Sequence, residues 1–272
     1  NGMLLSPCIR LVAAFDHRDI FIDPDPDPET SFAERKRLFE KGQSSWQDYD
    51  RDRLSEGGMI VSRAQKSITL SQAAADAIGL EKTTASPVEI LTAILKAPVD
   101  LMWFGGIGTY VRARNESNAD VGDKANDPIR ITASQLRAKV VGEGANLGMT
   151  QKARIEYGKS GGRCNSDAID NSAGVNSSDV EVNIKIALAA AMRKDGLTRE
   201  KRNRLLSDMT EEVARLVLRN NYLQSLAISL ALDRGTNDLG HQERLMEALE
   251  DRGLLDRDVE ELPSTQEIID RQ

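Results

Sequence analysis

Short, unbroken apolar runs alternate with helix-like segments along the N-terminal part of the chain. The run Ile9–Phe15 is rich in β-forming residues and closes at a polar cluster, which predicts a strand buried on both faces, as in a parallel sheet. Val99–Phe104 predicts a second buried strand, and Lys139–Val141 is a candidate for a third. Since strands that alternate with helices are typical of parallel sheets, the pattern predicts an α/β fold.

The segments between these runs carry the start signals of helices. Ser31–Glu40 is amphipathic at helical spacing, and Ser71–Gly79 predicts a short helix. Ser86 predicts a helix start, because a glutamate three residues later completes a capping box and Pro87 takes the first helical position. Thr150–Tyr157 predicts a further helix directly after a glycine-rich stretch.

The pattern changes near residue 179, where helical periodicity takes over. Four segments have helical periodicity: Asp179–Arg193, Thr198–Asn220, Asn221–Asp233 and His241–Arg252. The first two begin with helix-start signals, at Asp179 and Thr198. We therefore predict two parts: residues 1–178, which contain the parallel sheet, and residues 179–272, an all-helical C-terminal segment.

Composition and charge narrow the class of protein. The 272 residues are 40% apolar and 29% charged, which is typical of a globular protein and allows one large domain or two modest ones. The formal charge of −7 argues against a general nucleic-acid binder, whose surface carries a basic face, but it leaves room for a local anion site.

Membrane proteins and zinc-stabilised proteins are also disfavoured. No apolar run approaches the roughly 18 residues of a membrane-spanning helix, and no signal peptide is visible, which favours a cytoplasmic location. Cys8 and Cys164 are too few and too far apart for a disulfide framework or a zinc site, and His17 and His241 are the only histidines. We expect no metal.

The acidic repeat that begins at residue 23 raises a calcium-binding hypothesis. Asp23, Asp25 and Asp27 stand at positions 1, 3 and 5 of a possible loop whose position 12 is Glu34. Position 6 is Pro28, where such a loop needs a glycine with positive φ, and proline is locked near a φ of about −65°. We therefore favour a stiff, solvated turn.

The glycine-rich stretch GEGANLG at residues 142–148 is a sharper candidate for chemistry. A Gly-x-Gly turn after a buried strand can bring backbone amides to a pyrophosphate, with an acidic residue about 20 positions later for the ribose. That residue would be Asp167 or Asp170, and neither follows a convincing strand. The alternative places the phosphate turn upstream of Asn1 and makes Asp16 the ribose ligand, although Asp16 also has a simpler explanation as an ordinary turn residue.

A third polar cluster spans residues 171–178. Ser177 or Ser178 would cap a helix over the DVEVNIK stretch that follows. A helix start also offers free amides that can hold a substrate carboxylate, so capping and binding are compatible at this position.

Three stretches, taken together, resemble a known family: VAAFDHRDIFIDPDPD at 12–27, KVVGEGANLGMTQKARIEY at 139–157 and IDNSAGVNSSDVEVNIK at 169–185. They are similar to the cofactor domain of glutamate dehydrogenases, above all to the large NAD-specific enzymes of bacteria. The resemblance implies a Rossmann-type domain that binds NAD. It also implies a part in the oxidative deamination of L-glutamate to 2-oxoglutarate and ammonia.

The resemblance assigns roles to individual residues. Asp16 matches the acidic residue that binds the adenosine ribose, and a carboxylate at that place favours NAD over NADP. Asn146 and Asn171 match asparagines that lie beside the nicotinamide. Ser178 matches a serine that binds the side-chain carboxylate of the substrate.

The chain also departs from the family pattern. Residues 106–109 replace the A-L-E-N stretch of ordinary glutamate dehydrogenases, and Thr109 is the candidate there for the cofactor contact. The family's first strand and pyrophosphate turn would precede Asn1, and its catalytic lysine and aspartate would lie in an earlier substrate domain. We therefore expect no catalytic residue in this chain, no activity from the chain alone, and a homo-oligomer. The alternative hypothesis is a non-catalytic nucleotide-sensing or assembly module of a larger protein.

Overall fold

The computed structural model describes residues 4–106 and 108–270, and the chain divides into two compact units, Asn1–Asn165 and Ser166–Gln272. The strands are β1 Ala13–Phe15, β2 Asp19–Ile22, β3 Met59–Ser62, β4 Ile68–Thr69, β5 Thr84–Ala85, β6 Leu101–Phe104, β7 Val111–Arg112, β8 Ile131–Thr132, β9 Val140–Glu143 and β10 Arg163–Cys164. The helices are α1 Pro28–Lys41, α2 Gln72–Ile78, α3 Pro87–Leu95, α4 Asn118–Val121, α5 Gln151–Lys159, α6 Asp167–Asp170, α7 Ser172–Lys194, α8 Arg199–Arg234, α9 Leu239–Asp251 and α10 Thr265–Ile269.

An antiparallel sheet with the order β1-β2-β3 opens the first unit. Its central strand β2 is buried throughout, and successive side chains of a strand point to opposite faces. Ile20 and Ile22 pack into a core with helices α2 and α3, whereas Phe21 packs into a second core with Leu38 of α1 and Trp46. The sheet is therefore covered on both faces.

The predicted strand Ile9–Phe15 is wrong in its extent, its burial and its partner. The observed strand is Ala13–Phe15, its residues are partly exposed, and it runs antiparallel to β2. The reason is a tight turn directly after Phe15, in which the amide of Asp16 donates to the carbonyl of Asp19 at 3.1 Å and returns the chain along β1. An apolar run indicates a strand, but it does not specify which strand will pair with it.

A parallel sheet with the order β10-β9-β6 confirms the predicted α/β fold and two of its strands. Leu101 is in register with Val140, which places the strands predicted over 99–104 and 139–141 side by side. On one face of this sheet, Met102 and Val141 pack into a core with Tyr157 of helix α5. The structure also shows the short parallel pair β7–β8.

Local start signals place several helices as predicted. Ser86 caps α3, with its amide donating to the carboxylate of Glu89 at 2.8 Å and its hydroxyl accepting from the Glu89 amide at 3.3 Å. In the acidic repeat, Asp27 caps α1 by accepting from the amide of Thr30 at 2.8 Å. Asp23 is buried and accepts from the amide of Ser55 at 3.0 Å, so this part of the turn is packed rather than solvated.

The second unit is helical, as predicted for the C-terminal segment, but its first long helix begins earlier than expected. Helix α7 starts at Ser172, seven residues before the predicted start at Asp179. The hypothesis that Ser177 or Ser178 caps this helix is therefore wrong, because both lie inside it. Thr198 does cap the next helix, which runs without a break across the two segments predicted over 198–233.

Candidate functional site

Two glycine-rich turns, one that begins at Gly105 after β6 and one that begins at Gly144 after β9, leave the same edge of the parallel sheet. Strands β6 and β9 end in register at Phe104 and Glu143, and the amide of Gly144 extends the ladder by donating to the carbonyl of Phe104 at 2.9 Å. A glycine-rich turn follows each strand, so the two turns begin side by side. In open α/β sheets, ligands bind outside the carboxyl ends of the strands, which makes this edge the candidate site.

Three aromatic rings connect this edge to the antiparallel sheet. The ring of Tyr110 stacks on Phe104 at 5.5 Å between centroids and meets Phe15 edge-on at 5.9 Å. Phe15 is the last residue of β1, and Phe104 is the last residue of β6. The carboxyl ends of β1 and β6 therefore converge on Tyr110, and Asp16 follows directly after one of them.

A buried ion pair holds the turn that carries Asn146. The Glu143 carboxylate is fully buried and accepts from the amides of Gly148 at 2.8 Å and Met149 at 3.3 Å. Arg154 of helix α5 donates to the same carboxylate through Nε at 2.8 Å and Nη2 at 3.0 Å. Two hydrogen bonds from one guanidinium group to one carboxylate fix both the orientation of the two groups and the distance between them. The conformation of the turn is therefore set from inside the protein, while Asn146 itself is exposed.

The same turn contains a residue in an unusual backbone conformation. Leu147 has a φ of 55°, and the residue is 55% exposed. For a residue with a Cβ, the left-handed region costs of the order of 1–3 kcal/mol, and it persists only where the surroundings impose it. Here the Glu143 carboxylate binds the two amides that follow, which accounts for the imposed conformation.

Trp103 explains why glycines occupy two positions in GEGANLG. A Cβ added to Gly142 would lie 2.7 Å from the indole ring, and one added to Gly144 would lie 2.4 Å from it. Both distances are too short for any other residue, so the indole lies directly over the glycine backbone. The indole Nε1 is buried and has no hydrogen-bond partner among the described residues.

Thr109 is held mainly through its backbone. Its amide donates to Oδ2 of Asp123 at 2.9 Å, its carbonyl accepts from Nε of Arg130 at 2.9 Å, and the residue is buried. Burial opposes ionisation of Asp123, but the hydrogen bonds from Asn126 and from the Thr109 amide lower its pKa overall. Ile107, in the same replaced stretch, lies outside the described residues.

Asp16 is a residue of the turn between β1 and β2, which is the simpler of the two interpretations of this position. Its Oδ1 accepts from the amides of Arg18 at 2.7 Å and Asp19 at 2.8 Å. Within residues 4–106 and 108–270, nothing donates to its Oδ2, so one oxygen of this half-exposed carboxylate remains for a ligand.

The other two candidates belong to the second unit. Asn171 is the N-cap position of helix α7, and Ser178 is an exposed residue within that helix. Their spacing of seven residues is about two helical turns, which puts them on the same side of α7. A Cβ added to Gly174 would lie 2.5 Å from Oδ1 of Asn171, so this glycine makes room for the Asn171 side chain.

The structure thus places Asp16 and Asn146 in the turns that follow β1 and β9, and Thr109 in the segment between β6 and β7, all within the first unit. Asn171 and Ser178 lie at the start of helix α7 and within it, in the second unit. Sequence reasoning missed Glu143 and Arg154. A signal for the glutamate was present, because a charged residue stands between the first two glycines of GEGANLG, at the end of an apolar strand. No local signal pairs it with an arginine in the next helix.

Residues 4–106 and 108–270 contain neither a metal-binding cluster nor a membrane-spanning helix. No group of three or more His, Cys, Asp and Glu side chains is placed there to hold a metal ion. No helix in those residues is long and apolar enough to span a membrane.

Comparison with known proteins gives consistent matches. Residues 1–231 match the family described as bacterial NAD-glutamate dehydrogenase, catalytic domain. The chain is 52% identical over 271 residues to the NAD-specific glutamate dehydrogenase of Pseudomonas aeruginosa. It is 49% identical to the proteins of that name from Halomonas elongata and Mycobacterium tuberculosis. Each alignment covers 100% of this chain and 17% of the relative, so the chain spans about one sixth of the length of the relatives it matches.

Proposed function

The chain belongs to the bacterial NAD-glutamate dehydrogenase family, and from that premise we propose that it is part of the catalytic domain of an NAD-dependent glutamate dehydrogenase. The complete enzyme converts L-glutamate to 2-oxoglutarate and ammonia, and this segment orients NAD. NAD, when bound, supplies the acceptor for the hydride that leaves the α-carbon of glutamate. The catalytic groups come from an upstream substrate domain of the same polypeptide, so the segment alone is inactive.

The observation that carries this proposal is the convergence of three strand ends in the first unit. Phe15, Tyr110 and Phe104 join the ends of β1 and β6, and the register of β6 with β9 adds the GEGANLG turn. A crevice at such strand ends is where α/β sheets bind nucleotides. The buried Glu143–Arg154 pair gives this edge a fixed geometry, as a site that orients a cofactor requires.

We further propose that the two sheets are parts of one Rossmann-type sheet. Among the described residues, β1 pairs only with β2 and β6 pairs only with β9, so each leaves one edge open. A strand from elsewhere in the polypeptide would lie between them and carry the pyrophosphate turn. In this arrangement residues 1–178 are most of the NAD-binding domain, and residues 179–272 are a helical segment. The homo-oligomer stays a prediction.

The side chains at these positions suit the roles that we propose. The unoccupied Oδ2 of Asp16 accepts a ribose hydroxyl, and its negative charge repels a 2′-phosphate. Asn146 and Asn171 orient the carboxamide of the nicotinamide, Thr109 contacts the cofactor, and Ser178 binds the side-chain carboxylate of glutamate. Amides and hydroxyls can do this without changing their charge with pH.

Kinetics of the full-length protein that carries this segment test the proposal. In Asp16→Ala and Asn146→Ala, we expect kcat/KM for NAD to fall about tenfold or more, because each variant removes a hydrogen bond to the cofactor. Ser178→Ala should raise the KM for glutamate and leave the KM for NAD unchanged. Asn203→Ala, which removes an exposed amide from helix α8, is the matched control and should be neutral.

The absence of glutamate-dependent NAD reduction in the full-length protein would overturn the proposal. If the enzyme is active but the substitutions of Asp16 and Asn146 leave its kinetics unaltered, the segment is instead a nucleotide-sensing or assembly module without a part in catalysis.

A further inference from the structure

A cleft of about 860 Å³ lies beside the antiparallel sheet of the first unit. It is formed by the turn between β1 and β2, by strand β3 with the residues that follow it, and by the segment from Ser45 to Arg51. Its volume is in the range of small-molecule sites, which is about 300–1,000 Å³. Asp16 is adjacent to the cleft in sequence but does not line it.

The charge of the cleft differs from that of the chain as a whole. Arg18, Arg51 and Arg63 line it together with His17, whereas the chain has a net charge of −7. Asp19 is the single carboxylate among the lining residues, and it is buried and accepts from Nε2 of Gln47 at 2.6 Å. The cleft therefore carries an excess of positive charge.

Backbone carbonyls and side-chain acceptors other than carboxylates hold the three arginines. Arg63 donates to the carbonyl of Asp16, and its guanidinium lies 6.0 Å from the centre of the Phe15 ring. Arg51 donates to the carbonyl of Ile60 at 3.3 Å and to Oε1 of Gln47 at 3.1 Å.

Arg18 is held in the same way, because its Nε donates to Nε2 of His17 at 3.0 Å. No ion pair involves Arg18, Arg51 or Arg63 in the part of the chain that the structure describes. Each guanidinium has five N–H donors, so each is positioned and still has donors to spare.

We propose that this cleft binds a small molecule that carries a dianionic phosphate group. The fork of an arginine matches the oxygens of a phosphate, and several guanidinium groups around one cleft need a ligand with more than one negative charge. The cleft is much larger than a phosphate ion, so it has room for the organic part of a phosphate ester beside the phosphate group. Its occupant is therefore a phosphate ester rather than the free ion.

Occupancy of the cleft affects the turn that carries Asp16. The amide of Arg63 donates to the carbonyl of Arg18 at 2.7 Å, and its guanidinium donates to the carbonyl of Asp16. A phosphate that draws the Arg63 side chain toward the cleft therefore changes a hydrogen bond to the turn that contains Asp16. The site is thus a place from which a phosphorylated metabolite regulates the neighbouring strand end.

Calorimetric titration of the full-length protein with ribose 5-phosphate and with inorganic phosphate tests the proposal. We expect ribose 5-phosphate to bind, and Arg51→Gln and Arg63→Gln each to weaken it about tenfold or more, because each removes a charge-assisted hydrogen bond. Lys66→Gln is the matched control. It removes one positive charge from the same segment at an exposed residue that does not line the cleft, and it should bind as the parent does.

Three outcomes would overturn the proposal: neither probe binds, Lys66→Gln weakens binding as much as Arg63→Gln, or the apparent Kd of the probe rises in proportion to the NAD concentration without levelling off, as competition for one site requires. The last would make the cleft part of a cofactor site. Inorganic phosphate that binds as tightly as ribose 5-phosphate would overturn the assignment to an ester. Because the readout is phosphate binding and not glutamate oxidation, this proposal and the proposed enzymatic function fail independently.

Discussion

In each of the two three-stranded sheets of the first unit, one strand ends in a turn whose own carboxylate accepts from backbone amides, but the two carboxylates differ in their surroundings. Glu143, at the end of β9, is fully buried, and Arg154 of helix α5 neutralises it. Asp16, at the end of β1, is half-exposed and has no ion pair among the described residues. A buried carboxylate whose oxygens are bonded within the protein is not available to a ligand, whereas an exposed one can stabilise a turn and still bind a ligand.

Each region also contains one of the two tryptophans of the chain. Trp46 packs against Phe21 at 4.8 Å between ring centroids, beside the antiparallel sheet. Trp103 lies over the glycines of the parallel sheet. A Trp46→Phe background therefore makes fluorescence report on the parallel region, and a Trp103→Phe background makes it report on the antiparallel region.

The largest effect is expected at the buried ion pair. Glu143→Gln replaces the buried carboxylate to which Arg154 donates with a neutral amide, and breaking this buried ion pair should lower the free energy of unfolding by about 3–5 kcal/mol. Asp16→Asn changes the equivalent carboxylate of the exposed turn and should cost about 1 kcal/mol or less. Urea denaturation followed by Trp103 fluorescence measures the first variant, and Trp46 fluorescence measures the second. Equal losses in the two variants would contradict the contrast between the two turns.

A smaller effect is expected from the glycines of the parallel region. Gly144→Ala drives a Cβ into the Trp103 ring and should cost about 1–3 kcal/mol, as overpacking does, with a shift in Trp103 emission. Gly158 is the matched control, because it lies within helix α5 with nothing near its Cβ position. Gly158→Ala should stabilise by about 0.5–1 kcal/mol. A neutral Gly144→Ala would show that the indole does not rest on this turn.

The smallest effect concerns pH and the antiparallel region. The ammonium group of Lys41 and the amide and hydroxyl of Ser45 lower the pKa of Asp48 from 3.8 to about 2. Because the folded-state pKa is lowered, Asp48 stabilises the fold above pH 3.8, and this stabilisation is lost as the pH falls toward 2. Urea denaturation followed by Trp46 fluorescence should show that Asp48→Asn has a lower free energy of unfolding than the parent at pH 6. The difference between the two proteins should disappear by pH 2. A difference that does not change with pH would contradict the lowered pKa.

Sequence reasoning succeeded where the signal was local and failed where it depended on distant partners. The capping box of Ser86 and Glu89 spans four residues, and the structure confirms it. The partner of β1 could not be predicted, because an apolar run of this kind fits a parallel or an antiparallel neighbour equally well. Glu143 and Arg154 are separated by a turn and lie in a strand and a helix, so no local sequence pattern predicts that they pair.

The start of helix α7 at Ser172 could not be predicted from the sequence for another reason. The stretch Ser172–Ser178 consists mostly of small and polar residues, which by composition favour a loop. Tertiary context overrides that preference, since Ser172 is buried and bonded to the side-chain amide of Asn221 in helix α8. The roles of Asp16, Thr109, Asn146, Asn171 and Ser178 came from the family resemblance and stay predictions.

The parallel register of β6 and β9 has a consequence for the order of folding. The β1–β2 hairpin closes over a three-residue turn, and hairpins of this kind form in about 1–10 μs. Leu101 and Val140 pair across about 40 positions, so the entropy of a long loop must be lost before their contact is gained. The turn that carries Asp16 therefore forms early, and the edge that carries Asn146 is completed late.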